Sequence, residues 1–511
     1  MRNIYLILAF ISSFALSVYA AENSLRPNVL IIVGDDIGFS DIGCYGSEID
    51  TPNLDRLAAN GLRFTQFYNM SKCETTRSAL FTGLYEERPN VQNAQAFPQL
   101  MREAGYYAAM SGKEHFKKWV PDRCYGAQCF DDSFVYWMVN TYFVPPTGEF
   151  EYPFKLNGRE LKTEEIEATQ KPLYKTDFVT DYALRFLEKA KQQDKPFLLY
   201  LPLHPGHFPL QARPEDIAKY RGKYRKGWNL IRQERFERQK QLGVIPADCE
   251  LSPPEDNINK FRGPYRDSIY KYRPWDTLAD EEQDQLDLEM AVFAAMIDRL
   301  DQNIGRVLQK LEEMGELDNT LILFFSDNGS CPYDSNRDFS IPPGGPNSYR
   351  TLCAAWANVG NTPFRFYKQY GHEGGCRTPF IAYWSGRISP GFCDSPAHLV
   401  DIFPTMLELA GAQYPESIPE EPTPNLDGES IVPLLMGKDR DVPDFFISGF
   451  GNRFRSLRSG DWKIVRVNEG PWELYNMRND ITELNNLADS NPEKVEQLKK
   501  LLVEYEDQVS E

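Results

Sequence analysis

The stretch Asn28-Val29-Leu30-Ile31-Ile32-Val33-Gly34-Asp35-Asp36-Ile37-Gly38 decides the fold. Asn28 to Val33 is a short continuous apolar run rich in β-branched residues, which predicts a strand buried on both faces. It ends in two adjacent carboxylates between glycines. Paired carboxylates at the end of a buried strand are costly unless something positive lies between them. A divalent cation meets that need, and the glycines let backbone approach closely. Read in isolation, the same residues also fit a turn with an aspartate cap.

Other segments repeat the pattern. Thr320 to Phe325 reads as a strand ending in Ser326-Asp327-Asn328-Gly329, and Pro196 to Leu201 as one ending in His204-Pro-Gly-His207. Gly105 to Met110 leads into Gly112-Lys113-Glu114-His115, where Lys113 and His115 alternate and would share a face on an extended end. Helical patterns fall between, at Thr51–Gly61, Phe97–Ala104 and Asp177–Lys191. The clearest is Met290, Phe293, Ile297, Leu300, Ile304, Val307 and Leu311, with Gly315 to end it. Strands alternating with helices predict an α/β fold, a large mostly parallel sheet sandwiched by helices. Ligands of such sheets bind outside the carboxyl ends of the strands. Asp35, Asp36, His207, Asp327 and Asn328 all stand at such ends.

In Asn69-Met-Ser-Lys-Cys73-Glu-Thr-Thr-Arg77-Ser-Ala-Leu-Phe-Thr-Gly83 the cysteine opens a predicted helix. Free N–H groups and the helix dipole there favour a nucleophile or an anion, and Arg77 can reach back one turn. Alone, the segment reads equally as a buried structural thiol beside a surface arginine. Farther on, the glycine-flanked loop Lys368-Gln-Tyr-Gly-His-Glu373-Gly-Gly375 leads into a strand, Thr378 to Trp384. Asp401 to Gly411 reads as a helix with a glycine stop.

Composition bounds the rest. Fifty-six basic against 74 acidic residues give a net charge of −18 and a pI near 5.0, which argues against a nucleic-acid partner. Residues 1–20 carry a positive start, an apolar run and Val18-Tyr-Ala20, a signal peptide cleaved after Ala20. The expectation is export, to the periplasm or beyond, with no integral membrane segment after cleavage. With Cys73 set aside for chemistry, the nine cysteines leave an even number, with Cys124–Cys129 and Cys331–Cys353 as possible bridges. Residues 136–175, aromatic and aperiodic, read as a surface insertion that can face a substrate. The stretch from Pro214 to Gly243 reads as a solvated helical excursion. A Pro- and Glu-rich linker at 416–427 separates residues 21–427, the catalytic α/β domain, from residues 428–511. The latter read as a small antiparallel sheet with a helix from Pro492 to about Glu506.

Asp and Asn oxygens suit a hard cation, and the basic groups suit a tetrahedral oxyanion such as sulfate or phosphate. In order and spacing the segments from Asn28 to Tyr475 resemble the type I, formylglycine-dependent sulfatases of the alkaline-phosphatase-like superfamily, above all secreted bacterial arylsulfatase-like members. Asn361-Thr-Pro-Phe-Arg365 and Trp472-Glu-Leu-Tyr475 add to the likeness. The resemblance implies that Cys73 is oxidised to formylglycine by a maturation enzyme and that its hydrate is the nucleophile. Asp35, Asp36, Asp327 and Asn328, with residue 73, would hold Ca²⁺ in preference to Mg²⁺. Arg77 would orient the formylglycine hydroxyl, and Lys113, Lys368 and His207 would bind sulfate. His207 would protonate the leaving alcohol, and His115 would take the remaining hydroxyl proton. The family's modification motif is Cys-x-Pro-x-Arg, sometimes with Ala for Pro; here Thr75 stands at the Pro position, and conversion is still expected.

The implied function is hydrolysis of sulfate esters, on sulfated carbohydrates first and small aryl sulfates incidentally. Two alternatives share the site: a formylglycine-dependent phosphodiester or phosphonate hydrolase, and, if Cys73 stays a thiol, an inactive Ca²⁺-dependent binder of sulfated glycans.

Overall fold

The computed structural model describes residues 26–85, 90–116, 120–122, 126–138, 141–144, 154–167, 173–254, 273–449 and 454–510. The expected signal peptide and Cys124 lie outside them. The body of one large sheet is formed by β1 (Asn28–Gly34), β2 (Leu62–Tyr68), β3 (Tyr107–Lys113), β4 (Asp132–Tyr136), β5 (Phe197–Pro202), β6 (Thr320–Ser326) and β7 (Arg377–Tyr383). Their spatial order is β2-β7-β6-β1-β5-β3-β4, with short strands at both edges. From β6 to β4 the strands run parallel. β7 is antiparallel to both β6 and β2.

Double-sided burial follows from the apolar runs. In β1, Leu30 and Ile32 enter one core, and Val29, Ile31 and Val33 enter the other. In β6, Ile322 and Phe324 oppose Leu321, Leu323 and Phe325 in the same way. Each fully buried side chain of this size contributes about 1.5–3 kcal/mol against exposure. The helices used below are α1 (Cys73–Thr82), α2 (Lys175–Lys191), α3 (Trp228–Leu242), α4 (Asp280–Met314), α5 (Ile402–Ala410) and α6 (Pro492–Ser510). α2 and α4 cover the first face, and α1 and α5 the second. α4 is longer than its apolar repeat and stops at Gly315, whose φ of 76° places it in the left-handed region that glycine tolerates.

A four-stranded antiparallel sheet follows near the C-terminus, β8 (Phe445–Gly449), β9 (Phe454–Ser459), β10 (Trp462–Val467) and β11 (Glu473–Asn476). α6 packs Val495, Leu498 and Leu502 on Leu457, Ile464 and Leu474 of its outer face.

Several local expectations are corrected. The described aromatics of 136–175 are core, not a surface insertion: Tyr136, Tyr142, Phe154 and Tyr174 are buried against Phe178 and Tyr182 of α2. Only Trp137 stands out, 37% exposed. The charged stretch 214–243 is not simply solvated either. α3 buries Trp228, Ile231 and Phe236, and its Arg235 is fully buried against Asp41 (2.7 Å) and Glu48 (2.8 Å). Charge content alone hid this, because the partners lie nearly two hundred residues away. Cys353 is a free buried thiol, so no bridge joins it to Cys331. The expected linker is folded: 417–418 pair with 421–422, and Asp427 bonds back to Gly83 and Tyr85.

Candidate active site

The site lies at the carboxyl ends of β1, β5, β3 and β6. Beyond β1 the chain turns at Asp36, which takes a φ of 61°, unusual for a residue with a Cβ. The turn is held by Asp36 N–H donating to Asp327 Oδ1 at 3.3 Å and Ile37 N–H to Ser326 Oγ at 3.0 Å. Gly206, after β5, lies so close that a Cβ there would meet the Asp35 carbonyl oxygen at 2.1 Å. A glycine is therefore required at that crossing.

Cys73 is the first residue of α1 and is 2% exposed. Its approach from β2 is fixed by Asn69, whose amide donates to Thr378 Oγ1 at 3.0 Å, and by Ser71 Oγ, which donates to Tyr370 O at 2.7 Å. Arg77, one turn along, donates from Nε and Nη2 to Asp327 Oδ2 at 3.0 and 2.8 Å and from Nη1 to Lys113 O at 3.3 Å. Its guanidinium thus ties α1 to the ends of β6 and β3. Thr75 Oγ1 donates to Lys72 O at 2.8 Å, so the hydroxyl is absorbed in the first turn of the helix.

Lys113 Nζ reaches Asp35 Oδ2 at 2.6 Å, and Lys368 Nζ bonds Asp36 Oδ1. Asn328 Nδ2 donates to the same Asp36 oxygen at 2.6 Å. His207 Nε2 lies 3.8 Å from Asp36 Oδ2, and its Nδ1 lies 2.7 Å from the Phe208 carbonyl. His115 follows β3 but does not extend it: its φ of 48° breaks the strand, so the expected shared face with Lys113 is not what brings it in. Its Nε2 lies 3.7 Å from Glu74 of α1.

Every residue singled out from the sequence is thus found around one centre. Donor atoms of Asp35, Cys73 and Asp327 lie within 4.8 Å of one another, as do those of Asp35, Asp36 and His207. Three acceptor atoms in this cluster, Asp35 Oδ1, Asp36 Oδ2 and Asn328 Oδ1, are buried with no hydrogen-bond partner. Buried acceptors left open cost free energy, and all are oxygens. That donor set fits a hard divalent cation.

The charges respond accordingly. Burial opposes ionisation of Asp35, but Lys113, His207, His204 and Arg77 outweigh it and hold the carboxyl well below the usual range. Asp327 is pushed up to about 7 by burial and by Asp35 beside it, the behaviour of carboxylates sharing a site. Burial also pushes the Cys73 thiol up, against the pull of Lys368 and Lys113. Burial and Lys113 depress His115, and burial lowers His207 to about 4 despite Asp36.

His204, not assigned a role from the sequence, lies with Nδ1 3.6 Å from Asp35 Oδ2 and 3.4 Å from the Tyr136 hydroxyl. The His-x-x-His spacing was its only signal. Glu373, Lys463 and Glu483 were also missed. Lys463 Nζ bridges Glu373 (2.6 Å) and Glu483 (2.8 Å), all buried, and links the C-terminal sheet to the loop that carries Lys368. No local pattern marks these residues, because the three come from distant segments.

A model of the sulfatase family matches residues 27–412. The chain belongs to the sulfatase family. Within the alkaline-phosphatase-like superfamily, this sulfatase is a sulfuric ester hydrolase. A second model, N-sulphoglucosamine sulphohydrolase, C-terminal, matches residues 363–508. The sulfatase is 32% identical to an uncharacterized sulfatase of Schizosaccharomyces pombe, over 94% of each chain. It is 27% identical to an N-acetylglucosamine-6-O-sulfatase of Bacteroides thetaiotaomicron, over 91% of this chain and 83% of that one. The structure of Ps i-CgsB in complex with k-i-k-neocarrahexaose superposes with a TM-score of 0.65 at 25% identity, over 94% of this chain and 92% of that one.

Proposed function

We propose that this sulfatase removes sulfate from carbohydrates, using formylglycine made from Cys73 and a bound Ca²⁺. The observation that carries the reading is the set of open oxygens, Asp35 Oδ1, Asp36 Oδ2 and Asn328 Oδ1, in a cluster where Asp35 adjoins Cys73 and Asp327 and two buried lysines bond Asp35 and Asp36. Asp35, Asp36, Asp327 and Asn328 would hold the cation together with residue 73. When bound, the ion supplies charge neutralisation for the nucleophile and for the sulfate oxygens. Formylglycine supplies a hydroxyl pair in place of a thiol. Burial keeps the Cys73 thiol protonated, and a protonated thiol is a poor nucleophile.

Lys113 and Lys368 bind the sulfate oxygens and strengthen their hold as charge develops. Both bond the carboxylates of the cluster, Lys113 to Asp35 and Lys368 to Asp36, which keeps their ammonium groups beside residue 73's centre. Arg77 fixes Asp327 and the start of α1, which orients the residue-73 hydroxyl. His207 donates its proton to the leaving oxygen. An arriving sulfate anion opposes the depression of its pKa. His115 accepts the proton from the remaining hydroxyl as sulfate leaves.

The reading includes cleavage of residues 1–20, export, maturation by a formylglycine-generating enzyme, a catalytic unit over 21–427 and a C-terminal unit over 428–511. Among the described residues no helix is long and apolar enough to cross a membrane. The testing experiment is peptide mass spectrometry across Cys73 on protein from the native host, paired with sulfate release measured with and without Ca²⁺. Aldehyde formation and Ca²⁺-dependent release are expected; an unmodified thiol in an active preparation would overturn the formylglycine step.

A further inference from the structure

Three basic groups of the site carry an aromatic ring on their flank. Trp137 meets the His115 ring edge-on, with 5.6 Å between centroids and 85° between planes. The Phe208 ring lies 4.3 Å from that of His207, and Tyr349 lies 6.1 Å beyond Phe208. Lys368 Nζ stands 5.5 Å from the centre of the Tyr333 ring. Trp137, Phe208 and Tyr333 come from the loops after β4, β5 and β6, so they share the carboxyl edge of the sheet. Tyr349 is held beside them because Leu210 N–H donates to Arg350 O at 2.8 Å. The Arg337 guanidinium stacks on Tyr349 at 3.7 Å and stiffens it.

The exposure of these rings separates them from the core. Tyr136, next to Trp137, is 2% exposed and packs inward on Phe154, whereas Trp137 is 37% exposed. Phe208, Tyr333 and Tyr349 are half-buried. Leaving large rings at water costs apolar burial that a purely structural role would recover.

We propose that Trp137, Phe208, Tyr333 and Tyr349 form the walls of a saccharide subsite that receives the sugar ring bearing the sulfate. The inference rests on the sulfate-ester reading above. With sulfate oxygens on Lys113 and Lys368 and the ester oxygen at His207, the carbon skeleton of the leaving group must lie among these rings. Trp and Tyr offer large, rigid, amphipathic contact area at low entropic cost. A sugar ring presents C–H faces to them and hydroxyls to the wet rim. Trp137 and Tyr349 are then specificity-determining residues.

The test uses the full-length, converted, metal-loaded protein. kcat and KM are measured for 4-nitrophenyl sulfate and for a panel of monosulfated hexoses and N-acetylhexosamines covering each sulfate position. Trp137→Ala and Tyr349→Ala are each expected to lower kcat/KM for the best sugar sulfate about tenfold, mainly through KM. They should also lower the sugar-to-aryl preference at least ~5-fold, with Trp137→Phe restoring most of it. A thermal melt of each variant separates this from loss of fold. An unchanged sugar-to-aryl preference in both folded alanine variants overturns the subsite. So does wild-type protein whose KM for every sugar sulfate in the panel is no lower than its KM for 4-nitrophenyl sulfate. Wild-type protein that is converted yet releases sulfate from nothing overturns the parent reading instead, a result distinct from either.

Discussion

Cys73 carries the chemistry proposed for this sulfatase, and its neighbours define what a substitution there should do. Cys73→Ala is expected to lower sulfate-ester turnover at least ~10³-fold, as loss of a nucleophile does, and to lower the melting temperature by no more than a chelator does; steady-state assay and a thermal melt check both. Lys368→Ala is expected to cost roughly 10²-fold in kcat/KM, the scale for one group that stabilises developing charge. Lys175, the first residue of α2, presents a different case. Its ammonium faces the rings of Tyr136 and Phe154 at 4.9 and 5.3 Å. Burial lowers its pKa from 10.5 to about 7. The unfolded chain therefore binds more protons between pH 7 and 10.5, so this group makes stability rise with pH across that window. Below about pH 7 the full penalty applies, up to roughly 5 kcal/mol at ~1.4 kcal/mol per unit. Lys175→Met should raise stability at pH 6, with the gain fading towards pH 10, as read by denaturant titration at several pH values.

Among the elements, the loop 368–376 has the most to position. Lys368 N–H donates to Ser330 O at 3.2 Å, Gln369 N–H to Ser71 O at 2.7 Å, and Gly329 N–H to Gly375 O at 3.0 Å. The loop is thus wedged between the entry to α1 and the end of β6. Its other anchor is β10, through Lys463 on Glu373. Burial opposes ionisation of Glu373, but Lys463, Arg377 and Arg458 hold its pKa at about 2. Lys463→Met removes the cation that joins Glu373 to Glu483 and leaves Glu373 with Arg377, 3.1 Å away, as its remaining ion-pair partner. A broken buried pair costs about 3–5 kcal/mol, so in a chain of 511 residues the melting temperature should fall by roughly 3–5 °C. KM for a sulfate ester should rise with it, and Lys463→Arg should recover part of both. α3 plays the same part for the turn after β1: Arg235 grips Asp41, whose Oδ2 accepts from Gly38 N–H at 2.9 Å.

At the scale of the whole molecule, the anion site is a small basic centre in a chain of net charge −18. The overall field repels anionic substrates, so the local lysines and the proposed cation have to overcome it. Removing the cation should therefore act twice. A chelator is expected to abolish turnover and to lower the melting temperature, because a ligand bound only to the folded state contributes about 2.7 kcal/mol at a hundred times its Kd. Ca²⁺ should restore both and Mg²⁺ less well; calorimetry with each ion checks the order.

Much of this was legible in the chain itself. The apolar runs of β1 and β6 can only be strands buried on both faces, and the alternation with helices leaves a mostly parallel sheet between layers. Strand ends are local events, so Asp35, Asp36, His207, Asp327 and Asn328 could be assigned to one edge before any fold was seen. What the sequence could not determine are the pairings between remote segments. Arg235 reads as one more charge on a polar helix until Asp41 and Glu48 meet it. Lys463 has no motif until Glu373 and Glu483 close around it. Aromatic content said nothing of direction, and tertiary packing turned Tyr136 into the core and left Trp137 exposed beside His115. Periodicity is written within a few residues, whereas burial and charge pairing depend on which distant elements the fold brings into contact.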